Sequence, residues 1–357
     1  MVRQAGVSLV ELMISLVLGL VLMGGVVQVI TTSQSSYQEL IEQSRMQETA
    51  KLAMDYIVRD LRNVGYWGCS GNAIPAANTL NNTAGQFFRP NDTLDGWDNT
   101  NDDPVPERYE LEDADNDGVA EGGAIAGTDV VEIRVIDLNG SLSVESQPGN
   151  GKGGGAASLL LNGPHNYPAG TIWAVVEKDC SNMAVFQQSG QGGNSSTVTH
   201  NTGGGNCTKA LKGNFTCDDN SGEVWGTYSP GSSIFVVERV AYTVETSVSG
   251  QNALYRRTPD NAADNALEEL IQGISDLQFV YGLDQNGDNA VDRFATATQI
   301  NDAFADDDGD GNCDSNVLCF SQVISISVEI TVAPINNTNI PNQTFTTSLR
   351  LRNRGLS

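Results

Sequence analysis

An apolar run at the N-terminus dominates this sequence, which opens MVRQAGVSLVELMISLVLGLVLMGGVVQVI. Residues 7–30 form 24 almost wholly apolar positions that carry a single carboxylate, Glu11. As a helix they would extend about 36 Å, enough to cross the roughly 30 Å hydrocarbon core of a bilayer. A secretory signal has a shorter run and a small-residue cleavage site after it, so this run predicts a retained membrane helix.

Glu11 needs a separate explanation, because an acid inside a membrane segment requires a partner or a function. The residues around it, QAG followed by VSLVEL at positions 4–12, resemble the type III signal of type IV pilins and pseudopilins. The resemblance implies that residues 1–6 are a leader, that prepilin peptidase cuts between Gly6 and Val7, and that Val7 is then N-methylated. Val7 stands where the family usually has Phe.

In the same family, the glutamate at the position of Glu11 pairs with the N-terminal amine of a neighbouring subunit. A carboxylate and an ammonium group that are each unfavourable in lipid become tolerable together, which favours assembly in register.

The polar stretch after the membrane run keeps a helical period. Apolar residues at spacings of three and four predict one buried stripe, and Tyr37, Leu40 and Ile41 predict its beginning a few turns earlier. Charged residues such as Glu42 are predicted on the other faces. Without proline before residue 75, one helix over about residues 8–63 is expected, with Gly65 as its C-cap. The stripe consists of Ala50, Ala53, Ile57, Leu61 and Val64.

The rest of the chain reads as strands separated by loops rich in Gly, Asn, Ser and Asp. Residues 323–332, VISISVEITV, alternate strictly and predict a half-buried antiparallel strand. Residues 139–157 and 187–205 are glycine-rich and predict loops. The other predicted strands are residues 129–137, 171–177, 234–246, 276–281 and 344–352.

The predicted fold is therefore α+β, a pilin-like lollipop. A long N-terminal helix, transmembrane in its first half, packs on a mostly antiparallel head with long loops, and a second β lobe is an option. The predicted segments are residues 1–6 (leader), 7–30 (transmembrane or filament-core helix), 31–65 (amphipathic half of the helix) and 66–357 (periplasmic or extracellular head).

Three further stretches resemble the minor pilins of the PilW type. The end of the helix in these pilins resembles residues 60–69, DLRNVGYWGC. Their strand, acidic turn and following exit resemble residues 274–294, ISDLQFVYGLDQNGDNAVDRF, and their terminal strand resembles residues 348–354, SLRLRNR. The last motif is shared with GspJ-type pseudopilins. Residues 72–232 match no known pattern.

The resemblance implies a structural subunit of the bacterial inner membrane, with its head in the periplasm, that later reaches the pilus and the cell surface. It would help to initiate pilus assembly and sit at or near the tip. Implied partners are other minor pilins, the major pilin, prepilin peptidase, the inner-membrane assembly platform and a tip adhesin. Two alternatives stay open: a GspJ-like type II secretion pseudopilin, and a membrane-anchored, calcium-dependent adhesin.

Composition excludes several other functions. A formal charge of −25 argues against nucleic acid, whose phosphates require a basic surface. The chain has no H-E-x-x-H and no G-x-S-x-G motif, and its two histidines, His165 and His200, lie in Gly/Asn-rich stretches that predict exposed loops. No enzymatic activity and no required cofactor are expected.

Six cysteines without a C-x-x-C pair predict disulfides in an oxidising compartment. Cys207–Cys217 and Cys313–Cys319 are the expected local pairs, which leaves Cys69–Cys180, although sequence alone leaves other pairings open.

Three acidic stretches space oxygen donors at every second residue, as calcium loops do. Position 12 of such a loop falls on Ala124, Ala295 or Val317, so none is a complete EF-hand, and solvated acidic turns are the alternative. A structural calcium is therefore an open prediction. The candidate ligands are Asp113, Asp115, Asp117 and Glu121; Asp284, Asn286, Asp288 and Asp292; and Asp306, Asp308, Asp310, Asn312 and Asp314.

Overall fold

The structure is a computed structural model of the chain. It describes residues 8–69, 74–81, 93–100, 105–106, 123–137, 142–148, 157–190, 192–203, 205–217, 221–261, 264–303, 319–335 and 340–351. A helix of 53 residues, α1 (Leu9–Leu61), leads into a strand-rich head, as the α+β prediction requires.

The end of α1 differs from the prediction. The helix ends at Leu61, Arg62 is its C-cap, and Gly65 lies beyond it with φ 74°. Gly65 instead supports a turn in which the N–H of Tyr66 donates to the carbonyl of Asn63 at 3.0 Å. The left-handed conformation suits glycine, so the residue shapes the exit of the chain rather than the cap.

Only the last third of α1 packs on the head. Residues 8–41 are exposed, and burial begins at Glu42 and continues along the predicted stripe, where Ala53, Ile57 and Leu61 are fully buried. Tyr37, Leu40 and Ile41 do not extend that stripe. At 100° per residue Tyr37 is turned about 160° from Ala53, so it lies on the opposite side of the helix.

The described part of the head contains seventeen strands and a second helix, α2 (Ala297–Ala303). A 3₁₀ turn (Phe320–Gln322) precedes β16. The strands are β1 (Ala76–Asn78), β2 (Leu94–Trp97), β3 (Val130–Ile136), β4 (Leu142–Ser146), β5 (Ser158–His165), β6 (Ile172–Val176), β7 (Met183–Gln187), β8 (Ser195–Thr199), β9 (Lys212–Gly213), β10 (Glu223–Val224), β11 (Ser233–Thr246), β12 (Asn252–Asn261), β13 (Asp264–Gln272), β14 (Ile274–Leu283), β15 (Arg293–Ala295), β16 (Val323–Val332) and β17 (Gln343–Arg350).

A four-stranded antiparallel sheet, ordered β15-β14-β16-β17, carries α1 on one face. Alternate residues of β16, such as Ile326 and Val328, point at the helix, while Ser325 and Ser327 face away. This core also contains Tyr242 of β11 and residues of β3 and β12.

The long strand β11 belongs to two cores. Its first residues pair with β6 and β4, and its later residues pair with β3 and β12. The described residues between 142 and 236, together with β1, form a second lobe around Trp173, Phe186 and Tyr228. All the sheet pairs are antiparallel among the described strands, except β1 with β7.

All six predicted strands are present, each within about two residues at either end. Two predicted loops were wrong in part, because residues 139–157 contain β4 and residues 187–205 contain β8. The hairpin of β12 and β13 was not predicted at all.

Candidate functional site

The N-terminal end of α1 carries the predicted assembly residue. Ser8 is extended (φ −68°, ψ 140°) and Glu11 lies in the first turn of the helix, where a carboxylate is favoured by the helix dipole. The carbonyl of Glu11 accepts a hydrogen bond from Ser15 Oγ at 2.7 Å. Its exposed side chain has no ion-pair partner within the described residues. Gly6 and Val7 lie outside them.

The surroundings of Glu11 are membrane-like in composition. The most apolar window of α1 has a mean hydropathy of 2.4, and none of it is buried by the rest of the chain. By length and composition this helix could cross a membrane. A single carboxylate at the start of such a segment is unfavourable in lipid unless it is paired or lies in the polar interface.

Glu42 marks the point where the head begins to cover α1. Its side chain is only 4% exposed, and its Oε1 accepts a hydrogen bond from the N–H of Ile335 at 2.8 Å. The prediction that Glu42 lies on an exposed face was wrong. Its charge suggested an exposed face, although at 100° per residue Glu42 lies only about 20° from Ala53 on the buried stripe. A backbone donor 293 residues away stabilises the carboxylate in the interface.

The C-terminal end of α1 is fixed by a second carboxylate, Asp60. Its Oδ2 lies 2.7 Å from the hydroxyl of Tyr242 and 3.2 Å from Nε of Arg256. Burial, and then the charge of Asp60, raise the pKa of Tyr242, so the hydroxyl stays protonated and can donate. Strands β11 and β12 thus hold the end of the helix through two charge-assisted hydrogen bonds to Asp60.

Disulfides hold the helix exit and the second lobe. Cys69, just after the helix, is bonded to Cys180 in the turn between β6 and β7, and Cys207 is bonded to Cys217. Both pairings are as predicted. Cys319 is also disulfide-bonded, and its predicted partner Cys313 lies outside the described residues.

The acidic loop between β14 and β15 is the one predicted calcium loop that the structure describes. The carboxylate of Asp284 accepts the N–H groups of Gly287 and Asn289 at 2.7 and 2.8 Å, and Asp292 accepts that of Gln285 at 2.8 Å. The loop's own donors therefore satisfy its acids, as in an Asx turn.

The side-chain amide of Asn286 donates to Asp288 and Asp292 at 3.3 and 3.1 Å. No group of three or more His, Cys, Asp or Glu that could hold a metal ion occurs in the described part of the chain. The candidate ligands at 113–121 and 306–314 lie outside it.

Both histidines are buried, and the prediction of exposed loop residues was wrong. The ring of His165 packs against Trp173, and that of His200 against Phe186, both inside the second lobe. Neither nitrogen of His200 has a hydrogen-bond partner within the described residues. Burial lowers the pKa of His200 to about 4, so the ring is neutral at pH 7.

Two family models match the chain. The prokaryotic N-terminal methylation motif matches residues 1–27, and the type IV pilus-assembly protein W family matches residues 241–353. Neither a comparison with curated proteins nor one with solved structures gives a match. Together the two matches support a PilW-type type IV pilin.

The residues that match the pilus-assembly family are the ones that support α1. Residues 241–353 include the later half of β11, the β12–β13 hairpin and the whole four-stranded sheet. They supply Tyr242, Arg256 and Ile335, the residues that hold Glu42 and Asp60 of α1. The second lobe lies between the two matches.

The sequence alone did not predict the contact roles of Glu42, Asp60, Tyr242 and Arg256. Asp60 stands in the DLR motif that carries the family resemblance, and this was the available signal. For the others, the partners are too distant in sequence to be found from local patterns.

Proposed function

We propose that this pilin is a minor subunit that enters the type IV pilus as a structural component after removal of residues 1–6. In this proposal the cut falls between Gly6 and Val7, Val7 is N-methylated, and Glu11 pairs with the new amine of a neighbouring subunit. The match of residues 1–27 to the methylation motif supports each step.

The observation that carries the proposal is the exposed part of α1. Residues 9–41 project from the head as a helix of about 50 Å at 1.5 Å per residue. An uncovered helix that is apolar over most of its length requires lipid or other helices around it. Membrane storage followed by packing among neighbouring subunits provides both.

We propose the segments predicted from the sequence: a leader at residues 1–6, a membrane or filament-core helix at 7–30, a polar half at 31–65 and a head at 66–357. The exposed patch of Tyr37, Leu40 and Ile41 lies in the polar half, beyond the membrane segment and before the head. This supports contact with a neighbouring subunit at that level.

The charge of the N-terminal residues supports a proposed orientation in the membrane. Arg3 is the one basic residue before the apolar run, which favours a cytoplasmic N-terminus and a periplasmic head. The disulfides agree with an oxidising compartment for the head. After assembly the head would reach the pilus and the cell surface.

We further propose that the subunit helps to initiate assembly and lies at or near the tip. Its charge of −25 makes side-by-side packing of identical copies unfavourable, which supports a low copy number. The proposed partners are other minor pilins, the major pilin, prepilin peptidase, the inner-membrane assembly platform and a tip adhesin.

The match to the pilus-assembly family favours a pilus over a type II secretion system. An anchored adhesin would not need Gly6 and Glu11 in these positions. The proposed role is structural and requires neither catalysis nor a cofactor, and a structural calcium at the acidic loops stays a prediction of the sequence.

Substitution of Glu11 tests the proposal. Glu11→Gln removes the charge while keeping the size, so we expect normal processing but at least about tenfold less of the subunit in sheared pili, since an unpaired ammonium group in lipid is unfavourable. Glu11→Asp keeps the charge and serves as the control. Equal amounts of Glu11→Gln and wild type in sheared pili would count against the pairing role.

A further inference from the structure

The last strand of the four-stranded sheet, β17, pairs on one side only among the described strands. It pairs with β16 over eight consecutive residues without a register shift, and no further strand lies beyond it in the described part of the chain. Edge strands of this kind present backbone groups to which another chain can add.

The register identifies the backbone groups that point outward. The N–H of Leu351 donates to the carbonyl of Ile324 at 2.8 Å, and residues 324 and 351 are opposite each other in the same register. Hydrogen-bonded and non-hydrogen-bonded pairs alternate in an antiparallel ladder. Residues 343, 345, 347 and 349 therefore bond to β16, and Thr344, Thr346, Ser348 and Arg350 direct their N–H and C=O groups away from the sheet.

The four outward residues have no backbone hydrogen bonds to other described residues on that side. Their side chains are exposed on the outer face of the sheet. Phe345, on the opposite face, is only partly buried against the core under α1, so an added strand would also cover apolar surface.

The sequence of β17 has few features that protect this edge, and Arg350 is its one charged residue. It contains no proline, no acid and no bulge. By contrast β13, also an edge, has two register shifts in its pairing and carries Glu268 and Glu269, while β15 is three residues long. Charges, bulges and short length are the usual means of keeping an edge unpaired.

The local charge points to the chemistry of the occupant. Residues 343–354 contain no acid and three arginines in a chain with a net charge of −25, and of these Arg350 is described whereas Arg352 and Arg354 lie outside the described residues. On the same face, Glu329 of the neighbouring strand β16 accepts a hydrogen bond from Thr346 Oγ1 at 3.4 Å. We infer that the outer edge of β17 accepts an extended, acidic segment of a different pilus subunit by strand addition. This inference rests on the proposed function, because it takes the partner from the assembled pilus.

Residue-resolved hydrogen exchange on the full chain tests the inference directly. In detergent-solubilised subunit, the amides of Thr346 and Ser348 should exchange fast and those of Phe345 and Thr347 slowly. In sheared pili the outward amides should be protected by at least about tenfold, because an added strand bonds them. Outward amides that remain fast in pili would overturn the inference.

A matched pair of substitutions gives a second test. Thr346→Pro removes an outward donor and leaves the bonds to β16 in place, whereas Thr346→Val keeps the donor and the strand preference. We expect about tenfold less Thr346→Pro in sheared pili and unchanged Thr346→Val. The melting temperature in detergent shows that both variants fold.

Charge reversal tests the acidic partner. Arg350 is exposed, although one of its guanidinium nitrogens donates to the carbonyl of Asn289 at 2.7 Å. Arg350→Glu should reduce the amount of the subunit in sheared pili. Arg293→Glu, which reverses a charge at the opposite edge of the same sheet, should leave that amount unchanged.

The outcomes separate the two proposals. Wild type that is absent from pili would overturn the proposed function itself. Equal amounts of wild type and Thr346→Pro in sheared pili would overturn only the inference that a strand adds to β17. Pairing of two copies of this chain through β17 in detergent would overturn the assignment to a different, acidic subunit.

Discussion

At the scale of single residues, His200 shows how burial makes one side chain sensitive to pH. The ring lies in the second lobe beside Phe186, and the only charged group acting on it in the described surroundings is Lys209. Both features favour the neutral ring. Folding therefore lowers the pKa of His200 from its ordinary 6.5 to about 4.

The sign of the pH effect follows from this shift. Between pH 6.5 and 4 the unfolded chain binds a proton at His200 that the folded chain does not bind. The contribution of His200 to the free energy of unfolding is therefore fully present above pH 6.5 and is lost as the pH falls towards 4. The loss attributable to His200 is up to about 3 kcal/mol.

We predict that His200→Leu lowers this acid sensitivity. The difference in melting temperature between pH 7 and pH 4.5 should be smaller in the variant than in wild type, measured by circular dichroism on the full chain in detergent. His165→Leu, which removes the other buried histidine ring of the second lobe, is the control. An identical pH response of His200→Leu and wild type would contradict the role of the buried ring.

At the scale of elements, the contact of Tyr242 with Asp60 holds the C-terminal end of α1. Tyr242→Phe removes a hydrogen bond to a carboxylate, and we expect the free energy of unfolding to fall by about 2 kcal/mol. Hydrogen exchange of the helix amides between Glu42 and Leu61 should also become faster.

Tyr255→Phe is a matched control for this prediction. Tyr255 is on the neighbouring strand β12 and its hydroxyl also donates to a carboxylate, Glu269, at 2.9 Å. The contact does not involve α1, so exchange of the helix amides should not change. Equal acceleration in both variants would mean that Tyr242 does not anchor the helix.

The two described disulfides close loops of very different length. Cys69–Cys180 spans 111 residues and Cys207–Cys217 spans 10. In the chain-entropy model the longer loop contributes about 2 kcal/mol more. Replacing Cys69 and Cys180 by serine should therefore lower the urea concentration at the unfolding midpoint more than replacing Cys207 and Cys217 does. The reverse order would show that native-state contacts outweigh loop entropy here.

The elements also show what local patterns can predict. In β16 the alternation of Ile and Val with Ser, Glu and Thr gives both the strand and its buried face, because one face packs on α1. The β12–β13 hairpin escaped prediction because β12 contains Arg256, Arg257 and Pro259, which break the alternation of a half-buried strand. Its pairing with β11 and β13 stabilises it instead.

The contacts that position α1 could not be predicted in the same way. The stripe of Ala53, Ile57 and Leu61 follows from the helical period. The burial of Glu42, however, depends on Ile335, which is 293 residues away, and the position of Asp60 depends on Tyr242, which is 182 residues away. A periodic pattern gives the face of a helix. It does not give the distant donor that lets a carboxylate lie within that face.

At the scale of the whole molecule, the chain combines a helix-bearing sheet with a second lobe through one strand. β11 contributes to both cores, and Cys69–Cys180 links the exit of α1 to the second lobe. A displacement of the second lobe would therefore act on the strand that holds Asp60. The head and residues 42–61 of α1 therefore pack together, and this unit carries the exposed residues 9–41 of the helix.

The mass of the mature N-terminus tests the account most directly. Tryptic or intact-mass analysis of the membrane-extracted subunit should find a chain that begins at N-methylated Val7, and Gly6→Ala should leave residues 1–6 attached. Gly19→Ala, within the apolar run, should be processed normally. A wild-type chain that retains residues 1–6, or that begins elsewhere without the methyl group, would contradict the account.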